Sequence, residues 1–233
     1  MSLEPCLSNL EPCNLKFDNT LSDLNKIIIK KEHALIGVSP CNSYFSISNM
    51  EFLFSWAREN FHNFNVFIMD GASIFNFMAM GYDEKRALKK TRKNDKNLQN
   101  KVITSLTNIG FSLVDARKKI LLLSELSKCD KYIEVYNRYV HIFETNAIFR
   151  EDCLGATKLM LSEKMEDVTD EAIHLSMKYL LAELPLWLET PNVLNIQSSA
   201  VIYQVLSFFW GRICYNHSFL SPKQELIIKR FDG

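Results

Sequence analysis

Hydrophobic positions along this chain come in two patterns, short apolar runs and longer stretches with helical spacing. His33 to Ser39 (HALIGVS) is an apolar run closed by Pro40, and it reads as a buried strand. Asn65 to Asp70 (NVFIMD) and Lys119 to Ser124 (KILLLS) repeat the pattern, and Ser198 to Leu206 and Glu225 to Phe231 suit the last strands. Met50 to His62 places Phe52, Leu53, Trp56 and Phe61 on one apolar face, with Ser48 as a cap. Helical spacing also covers Ala72–Met80, Tyr82–Asn108 and Leu126–Met165, the last with a break near Thr145 or Asp152. A further helix starts on Thr169 and Glu171 and should end at Pro185. Strands alternating with helices predict an α/β fold: one Rossmann-like domain over 31–233, a mainly parallel central sheet, and helices on both faces. Ligands of such sheets bind beyond the carboxyl ends of the strands, where Ser39 and Asp70 stand. Residues 1–30 lack periodicity and read as an irregular arm, in which Leu3-Glu4-Pro5-Cys6 returns as Leu10-Glu11-Pro12-Cys13.

Composition narrows the class. With 47% hydrophobic and 23% charged residues among 233, the chain reads as a globular domain with one sizeable core. No apolar run approaches the ~18 residues of a membrane helix, and the N-terminus has no secretory pattern. The expectation is a cytoplasmic protein without a membrane partner. The six cysteines (Cys6, Cys13, Cys41, Cys129, Cys153, Cys214) form no C-x-x-C pair, and no histidine lies at zinc spacing from them. Free thiols and no metal are expected, with Cys41, two residues after Ser39, as the one candidate for a catalytic thiol.

The formal charge is zero, but its distribution is uneven. From Glu84 to Lys101, Lys85, Arg86, Lys89, Lys90, Arg92, Lys93, Lys96 and Lys101 face only two acids, Glu84 and Asp95. A concentrated basic stripe is the footprint of phosphate binding, although such a run is more often a solvated helix face.

The candidate chemistry starts at Ser39, where the first strand leaves the sheet. Gly37 would let a substrate approach the backbone, and Asn42 could hydrogen-bond a reacting group. Taken alone, both Ser39 and Asn42 fit a turn equally well or better. Tyr179 and Glu183 are four residues apart and share a helix face. Glu183 is either an exposed acid near a helix end or a partly buried one suited to proton exchange. Tyr203 could relay a proton or be an ordinary strand tyrosine. There is no G-x-x-x-x-G-K-[ST] or G-x-G-x-x-G loop, and Ser39 is not in a G-x-S-x-G elbow. His33 starts the strand that ends at Ser39, ~6 residues at ~3.3 Å away.

The run His33 to Ser46 (HALIGVSPCNSYFS) resembles the nucleophile signature of the cyclodipeptide synthases, and Tyr179 to Pro185 (YLLAELP) resembles their Y-x-x-x-E-x-P signature. Trp56-Ala57, Leu123-Ser124-Glu125-Leu126 and Ser198-Ser199 before Tyr203 extend the likeness, which covers roughly residues 30 to 205 in the family's order. Asn42, Tyr203 and Gln204 resemble the N-Y-Q triplet of one family branch. The resemblance implies a fold like a class I aminoacyl-tRNA synthetase catalytic domain without the ATP site, and no cofactor. It implies two aminoacyl-tRNAs used sequentially as partners, in a ping-pong scheme with Ser39 as nucleophile. The amine of the second aminoacyl-tRNA then attacks the Ser39 ester, and a dipeptidyl-enzyme closes to the ring. Tyr179 and Glu183 would bind the α-ammonium, Tyr203 would relay protons, and the basic stripe would bind tRNA. A monomer or weak homodimer is expected.

By position, the pocket for the first side chain would comprise Leu35, Gly37, Phe67, Met69, Leu123, Leu186 and Val201. A polar side chain would lack partners there, so leucine is expected first, then methionine or phenylalanine. Bulky Phe67 and Met69 argue against tyrosine and tryptophan. Two other readings stay open: an α/β serine hydrolase, which needs a histidine at Ser39, and a non-catalytic tRNA-binding module.

Overall fold

A computed structural model of the chain describes residues 32–40, 42–203 and 220–228. The predicted arm 1–30 with its Leu-Glu-Pro-Cys copies, Cys41, Gln204, Cys214 and His217 lie outside the described residues.

Five parallel strands form one sheet: β1 (His33–Val38), β2 (Asn63–Ile68), β3 (Ile120–Leu122), β4 (Ser199–Tyr203) and β5 (Gln224–Ile228). Their order is β3-β2-β1-β4-β5. The chain winds outward from β1 to β3, then returns to build β4 and β5 on the other side of β1. The reversal lies between β1 and β4, which is where doubly wound sheets open a crevice for ligands. Ser39 follows β1 and Tyr203 ends β4, so both border that crevice.

Between the strands run α1 (Ile47–Asn60), α2 (Ser73–Ala79), α3 (Glu84–Asn108), α4 (Leu113–Lys118), α5 (Leu123–Leu126), α6 (Asp130–Thr145), α7 (Ala147–Ser162) and α8 (Asp170–Leu194). Side chains alternate across a strand, and the register puts Leu35, Gly37, Phe67, Leu121, Val201 and Tyr203 on one face. That face packs on Tyr132 and Val135 of α6 and on Met177, Leu181, Leu184 and Trp187 of α8. On the opposite face Phe64 of β2 stacks with Phe54 of α1, ring centroids 6.1 Å apart. None of the described helices is long and apolar enough to cross a membrane.

Four expectations about elements need correction. Ser46, not Ser48, caps α1: its hydroxyl accepts the Asn49 N–H at 3.2 Å. The buried face of α1 is Met50, Leu53, Phe54 and Ala57, with Phe52 turned outward. The Lys119 run yields only three strand residues, because Leu123 opens α5. Pro185 does not end its helix. A proline without an N–H leaves the carbonyl four residues back without a helical partner, yet the buried run Leu184 to Thr190 keeps α8 packed on the sheet. The helical backbone breaks instead at Glu189 (φ −144°, ψ 35°).

The predicted start of α8 holds, since Thr169 Oγ1 accepts the Ala172 N–H at 3.2 Å. Glu189 is buried at the break and accepts from Arg138, from the Tyr139 hydroxyl (2.9 Å) and from Asn192 Nδ2 (2.5 Å). These bonds tie the break in α8 to α6. Replacing Glu189 with alanine strands those donors and should cost about 1–3 kcal/mol, measured as a shift in the urea unfolding midpoint.

Candidate active site

Ser39 lies just past the C-terminal end of β1, and Tyr203, at the end of the neighbouring strand β4, lies beside it. The sequence alone offered Ser39 as a turn residue. The parallel pairing of β1 with β4 gives it a phenol as neighbour.

Tyr179 and Glu183 project from α8 toward the same point. Glu183 is one turn beyond Tyr179, and Trp187 is one turn further, so all three share one stripe of the helix. The Trp187 ring meets Tyr203 edge to face, at 5.0 Å and 87°. Its indole N–H is directed at the Glu183 carboxyl, in a looser contact than an ideal hydrogen bond.

Trp187 also packs against Gly37. A Cβ on Gly37 would stand 2.7 Å and 2.8 Å from two indole carbons. The glycine therefore makes room for the indole. Sequence reasoning missed Trp187. Its i+4 spacing from Glu183 was the available signal.

Burial sets the electrostatics. It lifts the Glu183 carboxyl to about 7, and the Trp187 N–H pulls weakly the other way. Burial raises Tyr179 well above the usual phenol range, and the Glu183 charge adds to this. Tyr203 is pushed up to about 12 by burial and by Glu183, while the neighbouring Ser39 hydroxyl opposes the rise. Both phenols therefore keep their protons at neutral pH, and Glu183 sits where a proton can be gained or lost.

The remaining predicted residues fall into three groups. Asn42 forms an Asx turn, its Oδ1 accepting the Tyr44 N–H at 3.0 Å, so its side chain is engaged in the loop. Leu35, Phe67, Met69, Leu123, Leu186 and Val201 belong to one buried cluster beneath the site. On α3, Lys85, Arg86, Lys89, Arg92, Lys93, Lys96 and Lys101 are exposed. Asp95 turns inward with Ala87, Thr91 and Leu98, so the exposed stripe is more basic than the sequence count implied. Lys90 is half-buried; it donates to the Tyr82 hydroxyl at 2.9 Å and covers the Phe77 and Tyr82 rings.

His33 is engaged at the far end of β1, bound to Ser199 Oγ (2.9 Å) and Asn65 Oδ1 (3.0 Å). A cleft of about 380 Å³ at that end is lined by Asn63, Asn65, Phe111, Asp115, Lys118 and Lys119, and contains none of the groups at Ser39.

A family model described as cyclodipeptide synthase matches residues 17–225. The chain is 29% identical over 192 residues to the cyclo(L-leucyl-L-phenylalanyl) synthase of Streptomyces noursei, covering 81% of this chain and 80% of that protein. It is 26% identical to a cyclo(L-leucyl-L-leucyl) synthase of Staphylococcus haemolyticus, covering 82% of each. The structure of a cyclodipeptide synthase from Staphylococcus haemolyticus superposes with a TM-score of 0.80 at 25% identity, covering 91% of this chain and 96% of that one. A Mycobacterium tuberculosis structure, described as relating cyclodipeptide synthetases to type I tRNA synthetases, gives a TM-score of 0.74 at 26% identity, covering 86% and 87%.

Two outcomes follow from the packing and the charges. Gly37→Ala must displace the indole and should lose about 1–3 kcal/mol of stability; an unchanged chemical denaturation curve would contradict the indole's placement. Because the folded-state pKa of Glu183 is raised, the native state holds that proton more tightly than the unfolded chain. Stability therefore falls as pH rises from the ordinary carboxyl value through about 7. Glu183→Gln should flatten that fall, which melting temperatures across the range will show.

Proposed function

Because this chain belongs to the cyclodipeptide synthase family, we propose that it takes aminoacyl groups from two charged tRNAs and joins them into a cyclic dipeptide through an ester on Ser39. The observation that carries this reading is the company of Ser39: Tyr203 on the neighbouring strand and the buried Tyr179/Glu183 face, at the sheet's topological switch point.

The chemistry runs in three steps. Ser39 Oγ attacks the ester carbonyl of the first aminoacyl-tRNA, and its proton goes to the departing ribose oxygen. The substrate arrives activated, so no histidine base is required. Tyr179 and Glu183 hold the α-ammonium, and Glu183, with its pKa near 7, accepts a proton as the amine becomes a nucleophile.

Atom balance then corrects the direction of the second step stated from the resemblance. Attack by the second tRNA's amine on the Ser39 ester would free Ser39 and leave the dipeptide on tRNA. A dipeptidyl-enzyme requires the Ser39-bound amine to attack the second ester, expelling the second tRNA. The new terminal amine then attacks the Ser39 ester, closing the ring and returning the proton to Ser39 Oγ. Tyr203, beside Ser39, would relay that proton. Asn42 and Gln204 complete the N-Y-Q triplet in this reading.

The first aminoacyl side chain would rest over the cluster of Leu35, Phe67, Met69, Leu123, Leu186 and Val201, with Gly37 and its covering indole at the edge. That surface offers no polar partner, which supports leucine, then methionine or phenylalanine, as substrates. Apolar pockets discriminate a methylene weakly, so several products are expected. The exposed basic face of α3 would grip tRNA phosphates in a salt-sensitive way.

Incubation with leucyl-tRNA followed by mass spectrometry of small products tests the proposal. A cyclic dipeptide is expected. Free leucine alone would indicate a hydrolase, and binding without turnover would indicate a tRNA-binding module.

A further inference from the structure

The far end of the sheet holds a second concave, charged place. Asn63 opens β2, Lys119 joins α4 to β3, and Phe111 lies between α3 and α4. With Asn65, Asp115 and Lys118 they line the cleft of about 380 Å³. The six residues of β1, at ~3.3 Å each, put this cleft about 20 Å from Ser39. Its volume suits a ligand of nucleotide size rather than a lone ion.

Lys119 is built into the fold. Its N–H donates to the Asp115 carbonyl (3.1 Å), and its carbonyl accepts the Val66 N–H (2.8 Å) and Asn65 Nδ2 (3.1 Å). Its Nζ lies 4.9 Å from the Phe64 ring centroid and 5.6 Å from that of Phe111, and it donates to Asn63 Oδ1. The same amide oxygen accepts the Phe64 N–H at 2.9 Å. The half of the Asn63 side chain left over is its Nδ2 donor.

The charge of Lys119 is unmatched. The ammonium is half-buried, and no carboxylate among the described residues lies within ion-pair distance of it. Asp115, the acid of the cleft wall, pairs with Lys118 at the exposed rim (3.6 Å) and accepts the Ser112 hydroxyl (2.7 Å). Burial lowers Lys119 from the usual lysine range, with the Asp115 charge opposing. Arg58 adds a second cation without an ion-pair partner among the described residues; its guanidinium lies 5.1 Å from the Phe111 centroid and donates to the Ile109 carbonyl at 2.8 Å. Rings and amides hold these cations in place without cancelling their charge. A phosphate group, with a charge of about −2 and three acceptor oxygens, matches two unmatched cations and spare N–H donors better than a carboxylate does.

We propose that this cleft binds a phosphate group, its oxygens on Lys119 Nζ and Asn63 Nδ2 and the rest of the ligand against Phe111. Two sources carry that group: a free nucleotide, or the backbone of the tRNA in the reading above. The site takes no part in the chemistry at Ser39.

NMR titrations of the full chain test this, followed on the Asn63 side-chain amide and the Lys119 backbone amide. The probes are inorganic phosphate, adenosine monophosphate and deacylated tRNA. A saturable shift of both signals is expected. If phosphate or the mononucleotide produces it, the site takes a free nucleotide; if tRNA alone produces it, the site takes the nucleic-acid backbone. Lys119→Met should weaken the effective probe at least about tenfold, the effect of one hydrogen bond to a charged group. Asn63→Asp keeps an oxygen for Phe64 and Lys119 but removes the donor and adds a negative charge. It should weaken the probe likewise, and it serves if the methionine variant does not fold. Lys158→Met, exposed on α7, should leave affinity within about twofold. No shift with any probe overturns the proposal, and so do equal losses in the Lys119 and Lys158 variants. None of these readouts uses the reaction at Ser39, so failure of the wild type to make a cyclic dipeptide is a separate outcome that overturns only the reading above.

Discussion

The contact on which the site depends is the Trp187 indole lying against Gly37. It fixes the separation and rotation of α8 over β1, because nothing larger than hydrogen fits between them. Once that stripe of α8 is docked, Glu183 and Tyr179 face the C-terminal ends of the central strands, and the indole edge meets Tyr203. The Glu189 break matters for the same reason. It releases the chain from the helix after Trp187, and three donors from α6 and α8 hold it in place. A proline-bearing helix that stopped at Pro185 would carry no Trp187 to cover Gly37.

Charge is arranged in opposition across α3. Its outer face is basic, and on its inner stripe Asp95 accepts the Gly71 N–H. In the proposed reaction the outer face meets phosphate. Burial supplies the remaining electrostatics. It keeps both phenols protonated and brings Glu183 near neutrality, where proton exchange is least costly.

The α/β alternation was legible because fully buried parallel strands are continuous apolar runs, as HALIGV and NVFI are here. The Thr169 cap was legible because capping is local chemistry. The continuation of α8 past Pro185 was not, since burial of Leu186, Trp187 and Leu188 overrides a local helix-breaking signal. Among the site residues, Tyr179 and Glu183 were visible through their i+4 spacing. Ser39 and Asn42 stayed ambiguous, because turn chemistry uses the same residue types; the structure does place Asn42 in an Asx turn. In the sequence Asp95 only dilutes a basic run; its facing inward, which leaves the exposed face more basic, depends on tertiary packing.

The central claim is that Ser39 carries the aminoacyl group. Intact-protein and peptide mass spectrometry of acid-quenched enzyme, moments after mixing with leucyl-tRNA, tests it most directly. The account predicts one added leucyl group on the peptide containing Ser39, and none on a Ser39→Ala variant. An adduct that survives that substitution, or that maps to Cys41, would contradict it.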